Sequence, residues 1–250
     1  MNLKEYEIDS VNDLLEKLPR LYKGKSKWFR GHANENWTLE PALARKKQLK
    51  KESQLLKLFK QNAYQFLARV PKEEWEWLLI MQHYGVPTRL LDWTESPLVG
   101  LYFSLENFNR KKCDAALWCL CPQALNKTAN ISLDPPEDIP AFGENEELNA
   151  YLTTQVKSLP TPEPGKLPVA FIAPRQFERA YAQQGVFTII HSVSKPIEEI
   201  GKKQHITKFL IPARFKKKIA LQLNQLKINK LTVFPQLENV SKQVCEALHG

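Results

Sequence analysis

The chain has 250 residues and a formal net charge of +9, from 36 Lys/Arg against 27 Asp/Glu. Hydrophobic residues at 43% and charged residues at 25% are ordinary globular proportions, which excludes a chain disordered throughout. No apolar run approaches the roughly 18 residues of a membrane span, and four Cys do not make a disulfide framework.

In chain order, Met1–Ser10 carries acids and no apolar leader-like stretch, so the sequence predicts a cytoplasmic protein without a secretory signal. Asp9 or Ser10 caps a short helix through Leu18. Residues 27–31 read as a strand. Leu55, Leu56, Phe59, Ala63, Phe66 and Leu67 fall at helical spacing, which predicts a helix over 51–69. Pro71, Glu73 and Glu74 open another, with acids at its positive dipole end and Gly85 as its stop. Ser96-Pro97 is an N-cap and first helical position for a helix through Leu105. Ala115–Cys121 is nearly continuous in apolar character and reads as a central strand. The Pro-rich, acidic stretch 129–165 reads as a long loop or insertion. Strands follow at 168–172, 185–190 and 208–211, then helices at 215–226 and 237–248. The expectation is one α+β domain over 1–250: a helical N-terminal half packed on a mixed sheet, with a helical tail.

The charge is uneven. Twelve Lys/Arg lie between Arg20 and Lys60 against three acids, and seven lie between Lys202 and Lys218 with none. Such runs serve either as solvated faces or as contacts for a polyanion. No zinc-finger spacing or RNA-binding-sheet signature accompanies them, so any nucleic-acid contact is expected to be non-specific, and a protein partner stays open. No membrane contact is expected. Cys119-x-Cys121 lacks a partner motif or a nearby His, so no metal is expected.

Three constellations can carry chemistry. Gln82 to Pro97 packs His83, Tyr84, Arg89, Asp92, Thr94 and Ser96 into what reads as a helix–turn–helix passage. Such density is costly to bury unless its polar groups pair. Two readings stand: Arg89 with Asp92 as internal cement, or the wall of a polar pocket. In Trp28-Phe29-Arg30-Gly31-His32, an Arg on an apolar strand, followed by Gly, points to a guanidinium aimed into a cavity, to one snorkelling from an edge strand, or to one paired with a core carboxylate. In Arg175 to Phe187, a short helix ends at Gln183-Gln184-Gly185, which sets two amides at a strand mouth, either to grip a ligand or to cap the turn.

In this order these segments resemble the FRG domain family, named for a Phe-Arg-Gly motif, here Phe29-Arg30-Gly31. The resemblance continues through Gln82-His83-Tyr84-Gly85, Pro87 to Thr94, Ser96-Pro97 and Leu101-Tyr102-Phe103, then Arg179, Gln183-Gln184-Gly185 and Phe187. It covers roughly 25–240 and includes Leu231 to Leu237, where Gln236 stands in a place the family often fills with Asp. A looser resemblance, to the ADP-ribosyltransferase superfamily, implies NAD as substrate and a nucleotide ligand, in an intracellular toxin or antiphage-defence setting. It implies that Arg30 holds a phosphate or ribose, with Gly31 beside it. Thr94 and Ser96 would support the nicotinamide-side loop, Tyr102 would stack near the ring, and Gln184 or Gln183 would stand where those enzymes have a catalytic Glu. A neutral Gln keeps the hydrogen bond and loses the charge, a change worth about 10²–10³ in rate. Glu178, one helical turn away, is the alternative carboxylate.

Overall fold

The computed structural model describes residues 3–106, 113–131, 133, 135, 138–157, 166–192 and 195–246. Among them lie seven strands: β1 (Lys4–Glu7), β2 (Trp28–His32), β3 (Leu90–Thr94), β4 (Ala115–Leu120), β5 (Val169–Phe171), β6 (Gly185–Ile189) and β7 (Ile206–Ile211). They form one mixed sheet in the order β1-β7-β4-β2-β3-β6-β5. Only the β1–β7 pair is parallel. The fold is α+β.

The apolar run at β4 has a plain cause. Successive side chains on a strand point to opposite faces, and both faces here are covered. Ala115, Leu117 and Cys119 pack with Phe29, Phe209 and Ile211. Helices α1 (Val11–Lys17), α5 (Pro97–Ser104) and α9 (Lys216–Gln225) cover that side. Ala116, Trp118 and Leu120 pack on the other side with Trp28, Trp93 and Val186. There α6 (Pro122–Thr128) contributes Leu125. β4 is interior and fully buried, while β2 holds the middle place in the sheet.

The helix ends follow their sequence signals. Ser10 Oγ accepts from Asp13 N at 3.2 Å to start α1, and Ser96 Oγ accepts from Val99 N at 3.3 Å to start α5. Glu73 and Glu76 form a capping box on α4 (Glu74–His83), and Gly85, at φ +79°, follows its end. The remaining helices are α2 (Ala42–Arg45), α3 (Glu52–Ala63), α7 (Thr153–Lys157), α8 (Glu178–Ala182), α10 (Lys230–Val233) and α11 (Leu237–Glu246).

Four sequence expectations need correction. The helix expected over 51–69 ends at Ala63 and tightens into a single 3-10 turn, Tyr64–Phe66. The passage after Gly85 is helix–strand–helix, because Leu90, Leu91 and Trp93 are buried in the sheet core as β3. The first half is not simply helical, since β1, β2 and β3 all come from it. The stretch 129–165 is not all loop: Glu146–Tyr151 forms a 3-10 helix, α7 follows, and Ala141 bridges to Ile172. Residues 132, 134, 136–137 and 158–165 lie outside the described residues.

Candidate functional site

The middle of the sheet is where it is least continuous. β2 and β4 face each other over five residue pairs, and so do β3 and β6. β2 and β3 share one, Phe29 with Thr94. Past that pair the strands part, and the Arg30 side chain spans the gap. Its Nη1 donates to the Asp92 carbonyl at 2.6 Å, taking the place of a ladder bond.

Arg30 is held from behind. Its Nε donates to Nε2 of His32 at 3.2 Å. His32 Nδ1 lies 3.1 Å from the Trp37 carbonyl. A ring nitrogen that accepts from a guanidinium bears no proton, so Nδ1 carries it and donates to Trp37. Burial, and then the Arg30 charge, push the His32 pKa down to about 3. The imidazole is therefore neutral near pH 7 and orients Arg30 without repelling it. Among the described residues Arg30 Nη2 has no protein partner.

The seam opens into a cavity of about 360 Å³. Four guanidinium groups line it, Arg30, Arg45, Arg175 and Arg179, against the carboxylates of Asp92 and Glu106. Trp37, Phe103, Phe177 and Phe187 give it apolar walls. His83 stacks on Phe177 with ring centroids 3.9 Å apart and planes at 10°. Burial and the nearby Arg179 charge lower the His83 pKa. Arg175 is paired with Glu95, and Arg179 lies over the Phe234 ring at 4.8 Å. Arg45 is exposed and forms no ion pair among the described residues. The balance of charge on this wall is positive, and a cavity of this size with aromatic sides suits an anionic small molecule.

Residues 25–113 match the family model of the FRG domain. The matched stretch is shorter than the 25–240 read from the sequence; it holds β2, α4, β3, α5 and the seam, while Arg175, Arg179 and β6 lie beyond it. No curated protein and no solved structure matches the chain.

Six of the expected residues line the cavity: Arg30, Gly31, His83, Asp92, Thr94 and Gln183. Five are elsewhere. Arg89 is buried and pairs with Glu52 at 2.5 Å, not with Asp92. Its Nη1 also donates to the Tyr151 carbonyl at 3.2 Å. Ser96 is the N-cap of α5. Tyr84 is exposed, edge-on to His83. Tyr102 lines an adjoining cleft that shares Arg179 and Glu106 with the main cavity. Gln184 is exposed and outside the lining. It sits at φ +47°, just past the end of α8, where helices commonly place a left-handed residue. Its carbonyl accepts from Glu95 N at 3.1 Å. Gln183 donates from Nε2 to the Val233 carbonyl at 3.1 Å, and its own carbonyl accepts from Thr94 Oγ1 at 2.6 Å. Glu178 is exposed and also outside the lining.

Sequence reasoning missed Arg45, Arg175, Glu106 and Phe177 as cavity residues. Arg175 opened one of the dense segments, but nothing local shows that its chain position folds back over β3. Gln82 headed the first constellation but was not named as a site residue. Its Nε2 donates to Asp92 Oδ2 at 2.6 Å, and its Oε1 accepts from Thr88 Oγ1, also at 2.6 Å. Among the described residues no cluster of three or more His, Cys, Asp or Glu could hold a metal ion, and no helix is long and apolar enough to cross a membrane.

Proposed function

We propose that this FRG-domain chain binds an NAD-like nucleotide in the seam cavity and acts on it, as an ADP-ribosyltransferase or NAD-cleaving effector of the toxin or antiphage-defence kind. The observation that carries the reading is the convergence of Arg30, Arg45, Arg175 and Arg179 on one aromatic-walled cavity. Guanidinium groups offer planar, paired donors to phosphate oxygens. Aromatic faces serve a base or a pyridine ring. Arg30 is pre-positioned by two protein bonds yet keeps Nη2 for a ligand.

The competing reading is a non-catalytic module that binds nucleic acid or protein through a basic surface. It would use Lys50, Lys51, Lys202, Lys203 and Lys216 to Lys218 as one stripe, and two of these are engaged within the protein. Lys216 is buried, donating to the Cys113 carbonyl at 2.6 Å, and Lys218 Nζ lies 3.5 Å from Asp9. That favours the cavity.

The test is calorimetric titration with ADP-ribose. The wild-type chain should bind and Arg45→Ala should bind about ten- to a hundredfold more weakly, the worth of one charge-assisted contact. Because Arg45 has no ion pair among the described residues, its thermal midpoint should not move. Arg30→Lys should rescue poorly, since an ammonium cannot make the paired contact. Equal affinity in wild type and Arg45→Ala, or no binding at all, refutes the reading.

A further inference from the structure

Resting on that reading, we infer that Asp92 is the carboxylate of the reaction: it faces the sugar carbon of the bound dinucleotide and stabilises the positive charge that develops there as the glycosidic bond breaks.

The position Asp92 occupies is unusual on β3. Its neighbours Leu91 and Trp93 are buried in the core, and Asp92 alone is exposed on that strand, with its side chain in the cavity lining. A relay fixes it. Leu90 N donates to Thr88 Oγ1 at 3.1 Å, Thr88 Oγ1 donates to Gln82, and the Gln82 amide donates to Asp92 Oδ2. The chain of bonds runs from the backbone of β3 to Oδ2 and tethers that oxygen of the carboxylate. Oδ1 accepts no hydrogen bond among the described residues. The carbonyl of the same residue holds Arg30. One residue therefore ties the anion-binding group to a fixed carboxylate with an unused oxygen. Arg30 and Asp92 form no direct ion pair among the described residues, although the Asp92 charge acts on Arg30 across the cavity.

Carboxylates placed beside an oxocarbenium-like centre are a general solution for glycosidic cleavage. In the hydrolytic case the C1′–N bond breaks and its electron pair leaves with neutral nicotinamide. Water supplies the new C1′–O bond and releases a proton to solvent. The products are ADP-ribose, nicotinamide and one proton. Arg30 and its neighbours hold the phosphates, and Asp92 acts at the sugar. Gln184, exposed at the α8–β6 turn, takes no part.

The experiment follows nicotinamide release from NAD by the purified full chain, alongside ADP-ribose affinity. Asp92→Asn should keep ADP-ribose affinity within about threefold and lose 10²–10³ in kcat. Gln184→Glu should leave the rate unchanged. Gln82→Leu frees Asp92 from its relay and should lower kcat about tenfold with KM unmoved, a split that a loss of folding would not give; it decides the matter if Asp92→Asn does not fold. Wild-type cleavage by Asp92→Asn, a rate increase in Gln184→Glu, or wild-type binding of ADP-ribose without cleavage of NAD overturns the assignment of Asp92. Failure of the wild-type chain to bind ADP-ribose overturns the nucleotide reading beneath it.

Discussion

Gly31 and Gly100 lie against each other where α5 crosses β2: a Cβ added to Gly31 would sit 2.2 Å from the Gly100 carbonyl oxygen and 2.3 Å from Ser104 N. A Cβ on Gly100 would sit 2.7 Å from Phe29 Cβ. The clash at Gly31 is with backbone, which cannot rotate away. Gly31 therefore serves helix packing as well as the cavity that Arg30 faces. Gly31→Ala should lower stability by about 1–3 kcal/mol or more, the scale of overpacking. Urea denaturation measures it, and an unchanged midpoint would show that α5 can lift off β2 without cost.

A second expectation concerns Glu52 and Arg89. Glu52 is 0% exposed, and its carboxylate accepts from Arg89 N at 2.9 Å, Arg89 Nε at 2.5 Å and Thr153 Oγ1 at 2.7 Å. The pair locks α3 to the start of β3. Glu52→Gln keeps the shape and strands a buried guanidinium, so it should cost about 3–5 kcal/mol. A loss under about 1 kcal/mol, against that range, would mean that water reaches Arg89.

Acid should unfold the protein partly through its histidines. In the unfolded chain a His takes up its proton near pH 6.5, by its ordinary pKa. In the folded chain burial holds His32 neutral down to about pH 3 and also lowers His83 and His205. The unfolded state then binds more protons, so stability falls as pH drops from about 6.5 toward 3, by a few kcal/mol from His32. Urea midpoints at pH 7 and pH 4 should differ less in His32→Gln than in wild type. Parallel losses in the two would remove His32 from the acid response.

The thiols should separate by exposure. Cys245 is exposed, Cys113 half-buried and Cys119 and Cys121 buried. Burial pushes the Cys119 and Cys121 thiols up, which keeps them protonated and unreactive. Iodoacetamide labelling read by mass spectrometry should modify Cys245 first, Cys113 more slowly, and the other two only in denaturant. Early labelling of Cys119 would contradict its place in the core.

Much of the fold was legible because local rules and global packing agree. The caps at Ser10 and Ser96, the stop at Gly85 and the unbroken apolar run of β4 each mark an element that forms there. β3 was not legible, since Leu90 to Thr94 is short and its two polar residues belong to the site and not to a turn. β1 was hidden for a related reason: Lys4–Glu7 is an exposed edge strand without an apolar alternation. At the site, Arg30 and Asp92 could be nominated from their neighbours. Arg89 could not be told from Asp92, because its partner Glu52 is distant in sequence. Gln184 was expected at the site from the resemblance and from its place at a strand mouth; it sits in a left-handed turn and lies outside the lining, while Gln183 and Gly185 line the cavity.

The single backbone pairing between β2 and β3 has a mechanical side. β1, β7, β4 and β2 make one ribbon and β3, β6 and β5 another; their backbone ladder is a single pair, Phe29 with Thr94, supplemented by one guanidinium, while core side chains such as Trp28 and Trp93 pack across the join. Along this join the sheet's ladder is thinnest, with one backbone pair where the neighbouring joins have five. A guest seated at this line touches both ribbons, Arg30 and His32 on one, Asp92 and Phe187 on the other. Its arrival would stiffen the whole sheet from the middle outward, so the amides of β3 and β6 should be the ones whose exchange with solvent slows most when the cavity fills.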